Sequence, residues 1–245
     1  MRKIILSFLL VLLPTLTFAA GGGVHLDKAD IDLHNNQSLQ RGAKLFMNYC
    51  LSCHSAQFQR YNRMARDIGL TDDQVIENLM FASDKVGSTM TIAMSRADGK
   101  AWFGAAPPDL SLVARSRGAD WLYTYLRTFY VDESRPFGVN NVVFPSVGMP
   151  NVLWELQGVQ KPVFKTVEHD GESKEVLDHL ELAEPGTRTP AEFDKDVRDL
   201  VAFLAYVSEP VQLERKALGV KVILFLLVFL VVAYLLKKEF WKDIH

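Results

Sequence analysis

Cys50-Leu51-Ser52-Cys53-His54 decides how this chain folds. Two cysteines separated by two residues and followed at once by histidine form the C-x-x-C-H attachment sequence of haem c. The spacing sets the thiols about one helical turn apart. That matches the two vinyl groups on one edge of a porphyrin, and the thioethers so formed prevent loss of the group outside the cell. His54 comes next, so its imidazole reaches the iron from the proximal side. Structural zinc needs four ligands, usually with a second cysteine or histidine pair, and the chain has only these 2 cysteines. A redox dithiol opens a helix after a strand. Here Gly42, Phe46 and Cys50 recur at i, i+4 and i+8, with Ala43, Leu45 and Met47 adding apolar surface, so the motif closes a helix expected over 38–53. One motif predicts one covalently bound haem c.

The two ends say where that domain resides. Arg2 and Lys3 precede an uncharged run over 4–13, then Pro14 and Thr17-Phe18-Ala19-Ala20. A basic start, a short apolar stretch and a small-residue exit describe a secretory signal peptide, cleaved after Ala19 or Ala20. The run is short for a membrane span of about 20 residues. At the other end, 222–236 carries no charge and 217–220 extends it across Lys221. This is long enough to cross a bilayer, with Lys221 carrying its ammonium to the interface. Lys237, Lys238 and Lys242 follow, with Phe240 and Trp241 at headgroup level; positive charge there keeps the tail in the cytoplasm. The expected organisation is a signal peptide over 1–20, a periplasmic haem domain over 21–212 and an anchor with a short cytoplasmic tail over 213–245. The span covers about 217–236 in a bacterial inner membrane.

Composition removes other classes. The 245 residues are 49% hydrophobic, with 27 basic against 29 acidic side chains and a formal charge of −2. No basic footprint for nucleic acid is present, and there is ample apolar material for a core.

A second axial ligand must come from elsewhere in the chain. His25, His34, His169, His179 and His245 are available, as are Met64, Met80, Met90, Met94 and Met149. Met149 sits in Phe144-Pro145-Ser146-Val147-Gly148-Met149-Pro150-Asn151, where Gly148 permits close approach and Pro150 stiffens the loop. Such a loop presents a thioether at a fixed distance; a methionine filling a core gap is the other reading. Met/His ligation raises the potential and closes the iron to substrate, favouring electron transfer.

Elsewhere the pattern is mainly helical. Thr71-Asp72-Asp73-Gln74 is a capping box opening a helix through about Ala82. The stretch 85–104 reads as irregular, Pro107-Pro108-Asp109 as the start of a short helix through Arg115, and 119–130 as another helix. Alternation over 163–168 and 175–182 about Asp170-Gly171 predicts one small hairpin with a solvated acidic face. Thr189-Pro190-Ala191-Glu192 caps a helix running to about Val207, which Pro210 interrupts.

The ordered set Cys50–His54, Pro107-Pro108-Asp109-Leu110-Ser111, Gly148-Met149-Pro150, then Phe203, Tyr206, Glu209 and Pro210, resembles the cytochrome c1 family, the haem c subunit of quinol–cytochrome c reductase (complex III). The likeness covers nearly all of the mature chain, including Arg215, Lys216, Gly219 and Lys221 ahead of the span. It implies a mainly α fold: a cytochrome c-type haem domain with insertions, one a small β-hairpin, and a single C-terminal transmembrane helix. It implies Met149 as sixth ligand, Pro108 beside the haem, and Arg115 paired with a haem propionate, with Arg117 as its rival. A guanidinium suits that role as a charged fork of donors. Trp121 stands where relatives carry an aromatic hydroxyl near the propionates, and its indole N–H would donate instead. Trp102-Phe103 replaces an asparagine pair of many members, and no cysteines remain for the extra disulfide of some bacterial ones.

The resemblance further implies one-electron transfer from a Rieske iron–sulfur protein to a soluble cytochrome c, with quinol oxidised in the neighbouring cytochrome b. The setting would be a dimeric complex in contact with membrane lipid, with no substrate bond made or broken in this subunit. The alternative is a membrane-anchored monohaem cytochrome donating to a terminal oxidase. A haem peroxidase or gas sensor would instead need a vacant sixth position.

Overall fold

The computed structural model describes residues 24–169 and 172–243. The expected signal peptide, the Asp170-Gly171 turn and His245 lie outside the described residues. In chain order the elements are α1 (Asn36–Leu45), a π-helical turn (Phe46–Cys50), β1 (Ala56–Arg60), α2 (Tyr61–Ile68), α3 (Asp72–Asn78), β2 (Thr89–Met90) and α4 (Arg96–Phe103). Then come α5 (Val113–Arg117), α6 (Ala119–Arg127), β3 (Phe129–Val131), β4 (Val139–Asn141), α7 (Trp154–Gln157), β5 (Gly158–His169), β6 (Glu172–Pro185), α8 (Pro190–Ser208) and α9 (Gln212–Phe240). The strands pair β1 with β2, β3 with β4 and β5 with β6, all antiparallel. The molecule is mainly helical with small sheets, as its sequence predicts.

The core forms where α1 crosses α8. A Cβ on Gly42 would stand 2.1 Å from the Asp199 carbonyl oxygen and 2.7 Å from the Phe203 Cβ, so only glycine lets the backbones meet. Phe46 and Phe203 then pack with ring centroids 5.5 Å apart. The crossing also buries a carboxylate: Asp199 accepts from Arg41 Nε at 2.5 Å and from the Ser38 hydroxyl. A buried charge without such partners is costly. Both predicted capping boxes are present, Thr71 with Gln74 and Thr189 with Glu192.

Several elements depart from expectation. The haem helix does not run evenly to 53: α-helix gives way to the π turn, and the Leu51 amide reaches back to the Phe46 carbonyl. The helix opened by Thr71 ends at Asn78, short of Ala82. The stretch 85–104 contains α4, capped by Ser95. Gly99 inside it is no breaker, because a Cβ there would lie 2.8 Å from Pro107 Cδ. Residues 107–112 are not helical, and α5 begins only at Val113. The segment ending α6 turns into β3, which pairs Phe129 with Asn141 and Val131 with Val139. The predicted hairpin is longer than read, β5 and β6 having 12 and 14 residues.

Helix α9 has 29 residues and spans about 43 Å at 1.5 Å per residue. It is long and apolar enough to cross a membrane, and none of its residues is buried by the rest of the chain.

Candidate functional site

The C-x-x-C-H motif opens onto a cavity of about 360 Å³. Cys50, Cys53 and His54 line it, as do Pro108, Trp121 and Met149 from distant parts of the chain. Phe103, Leu122, Leu126, Phe144, Val152 and Leu204 supply much of its apolar wall.

Local hydrogen bonding explains why the proline segment lies beside the motif. Asp109 accepts from the Gln57 amide at 3.0 Å and from the Ser111 amide at 2.8 Å. Ser111 Oγ accepts from the Phe58 amide at 3.1 Å, and the Leu110 amide donates to the Ser55 carbonyl at 2.8 Å. Residues 107–111 are thereby stitched alongside 55–58, and the prolines keep the segment from coiling. The consequence falls on His54, whose Nδ1 lies 2.7 Å from the Pro108 carbonyl oxygen. A carbonyl only accepts, so Nδ1 carries the proton and Nε2 keeps its lone pair. Burial lowers the imidazole pKa, opposed by the Pro108 carbonyl and by Asp109. The two cysteines are not joined in a disulfide. Until a thioether forms, burial, with Cys53 beside it, keeps the Cys50 thiol protonated, its pKa pushed up to about 12.

The Met149 loop is fixed by two asparagines outside the motifs. Asn141, fully buried, accepts from the Val143 and Phe144 amides at 2.9 and 3.1 Å and donates to the Tyr125 carbonyl at 2.8 Å. Asn140 Oδ1 accepts from the amide of Ser146 at 2.8 Å. Ser146 takes φ 63°, and its carbonyl accepts from Arg135 Nη2 at 3.0 Å. Of the candidate methionines, only Met149 reaches the cavity; Met64 and Met90 are core residues. None of His25, His34 and His179 lines it.

One wall is aromatic. Trp121 stacks on Tyr125 at 4.9 Å and 10°, meets Phe144 edge-on at 6.5 Å, and lies 5.1 Å from the Arg117 guanidinium carbon. Tyr125 Oη is 3.3 Å from Met149 Sδ, and burial pushes its phenol well above the ordinary tyrosine range. The structure places the two arginine candidates differently. Arg117 lines the cavity and Arg115 does not. The Glu209 carboxyl is held below its usual range chiefly by the hydrogen bond from Arg215, and Arg115 adds to that attraction. Arg117, Tyr125, Asn140 and Asn141 extend the site beyond the residues predicted for it. Only Arg117 had a local signal, its place two residues after Arg115.

Two cysteine sulfurs not tied in a disulfide, an imidazole with an available Nε2 and a thioether on one apolar cavity fit haem c by their donor chemistry. With a mainly helical domain and one membrane-length helix, they define a membrane-anchored c-type cytochrome. The chain belongs to the cytochrome c1 family, whose model matches residues 28–90 and 82–244. It is 51% identical over its whole length to cytochrome c1 of Allochromatium vinosum, covering all of that chain. It is 47% identical, again over both full lengths, to the ammonia monooxygenase gamma subunit of Nitrosomonas europaea. Against cytochrome b/c1 of Bradyrhizobium diazoefficiens, identity is 27% over 85% of this chain and 33% of that longer one. The protein therefore carries one covalently bound haem c and serves electron transport. Its apolar C-terminal helix fits a single-pass inner-membrane protein.

Proposed function

We propose that this chain is the haem c subunit of a quinol–cytochrome c reductase, accepting single electrons from a Rieske iron–sulfur protein and delivering them to a soluble cytochrome c. The observation that carries this reading is the presence of His54 and Met149 on one cavity with the paired thiols. Two donors from the chain itself would leave a haem iron no position for a substrate, which suits electron transfer rather than catalysis at the metal. Haem c, when bound, supplies a one-electron couple. Cys50 and Cys53 would hold it covalently, His54 through Nε2 and Met149 through Sδ would supply its ligands, and the Pro108 carbonyl keeps the imidazole oriented. Arg117, on the cavity wall with the Trp121 ring beneath its guanidinium, would offer a propionate a charged fork of donors. The apolar wall excludes water and limits solvent reorganisation around the site.

The anchor, over 213–245, lies against cytochrome b and lipid within a dimeric complex; the name of the Bradyrhizobium relative, which joins b and c1, supports this neighbour. Lys237, Lys238 and Lys242 hold the C-terminus in the cytoplasm, so the domain over 21–212 faces the periplasm after loss of a signal peptide over 1–20. Purification from native membranes in mild detergent tests the assignment. Cytochrome b and a Rieske protein are the expected companions. Recovery with a terminal oxidase or a monooxygenase in their place overturns it, as does rapid carbon monoxide binding by the ferrous protein.

A further inference from the structure

Resting on the reading of Met149 as an axial ligand, we propose that Tyr125 is a positioning residue that sets the electron affinity of the site by donating its hydroxyl hydrogen to the Met149 sulfur. The donor and acceptor are 3.3 Å apart. The contact is held from several directions. Tyr125 is 9% exposed, its ring stacked on Trp121 and met edge-on by Phe129 at 5.1 Å. Its carbonyl is bound by Asn141, the same side chain that accepts the Val143 and Phe144 amides at the base of the Met149 loop. One buried amide thus couples the helix bearing the hydroxyl to the loop bearing the sulfur.

A thioether has two lone pairs, so ligation through one leaves the other to accept a hydrogen bond. Sulfur is a weak acceptor, but the surrounding wall is largely apolar, and among the described residues the phenol hydroxyl makes its hydrogen bond to this sulfur. Donation to sulfur withdraws density that would otherwise stabilise the metal. The ferric state, with one more positive charge, loses more by this than the ferrous state. The hydroxyl therefore favours the reduced form and raises the potential, a lever of the hydrogen-bonding shell around a ligand.

Tyr125→Phe removes the hydroxyl and keeps the ring. In the mature haem-loaded protein, an optical redox titration is expected to show the reduction equilibrium shifted three- to tenfold toward the ferric form, where tenfold is about 59 mV for one electron. The sulfur-to-iron absorption band of the ferric state is expected to persist at a displaced wavelength. An unchanged potential, whatever the change in thermal stability, overturns the proposal and leaves the hydroxyl a packing group. Met149→Leu separates this from failure of the underlying reading. If that variant retains the band, ligation by Met149 falls and this inference with it. If it loses the band while Tyr125→Phe keeps the parent potential, only the role of Tyr125 falls.

Discussion

The Nδ1 of His54 donates to the carbonyl of Pro108 at 2.7 Å, joining the C-x-x-C-H motif to a segment 54 residues further along the chain. Pro108 has no side-chain donor or acceptor, and its carbonyl is aimed by its neighbours. Asp109 and Ser111 do the aiming through the backbone amides of 57, 58 and 111.

Asp109→Ala is therefore expected to act on His54 without touching it. Loss of two amide–carboxylate bonds should lower unfolding free energy by about 1–3 kcal/mol. Denaturant titration followed by haem absorbance measures this. Oxidised spectra of the variant should show a second, misoriented histidine population that is absent from the parent.

Met149→Leu should retain pigment through acid–acetone extraction, because Cys50 and Cys53 are untouched. The ferric protein should lose its sulfur-to-iron band, and the potential should drop by at least a tenfold change in equilibrium constant, about 59 mV or more. Redox titration and the ferric spectrum read both effects.

Arg117 and Arg115 are two residues apart and are expected to behave differently. Arg117→Gln removes a positive charge from the cavity wall, which destabilises the more negative, reduced state. The potential should fall by a few-fold in equilibrium constant. Arg115→Gln should move it less, because Arg115 does not line the cavity. Parallel titrations of the two variants decide the matter.

Glu192 gives a pH-dependent test of the cap on α8. The Thr189 amide, and then its hydroxyl, hold the Glu192 carboxyl below its ordinary range. A depressed carboxyl contributes stability above its unfolded pKa and loses it as pH falls through the folded value. Glu192→Gln keeps the capping box but cannot titrate. The stability advantage of the parent over this variant should be present at neutral pH and vanish on acidification, as followed by urea unfolding at a series of pH values.

What was legible in the sequence rests on local chemistry. The motif at 50–54, the boxes at Thr71 and Thr189 and the uncharged run over 222–236 are each complete within a few turns of chain, so spacing alone reveals them. What was not legible depends on partners far away. Gly99 reads as a breaker until Pro107 is seen occupying the space of its missing side chain. The segment 107–112 reads as a helix start until its stitches to 55–58 are known. Tyr125 and Asn141 sit in ordinary helix and strand patterns, and only the fold brings them to the Met149 loop. The choice between Arg115 and Arg117 turns on how a five-residue helix is rotated, which no periodicity over so short a stretch can fix.

Residues 209–211 are all that separate α8 from α9, and Glu209 is clamped across this elbow by Arg215. With only three residues between them, the end of α8 and the start of α9 stay within about 14 Å of each other whatever angle the joint takes, so the redox domain is held to its anchor on a short tether.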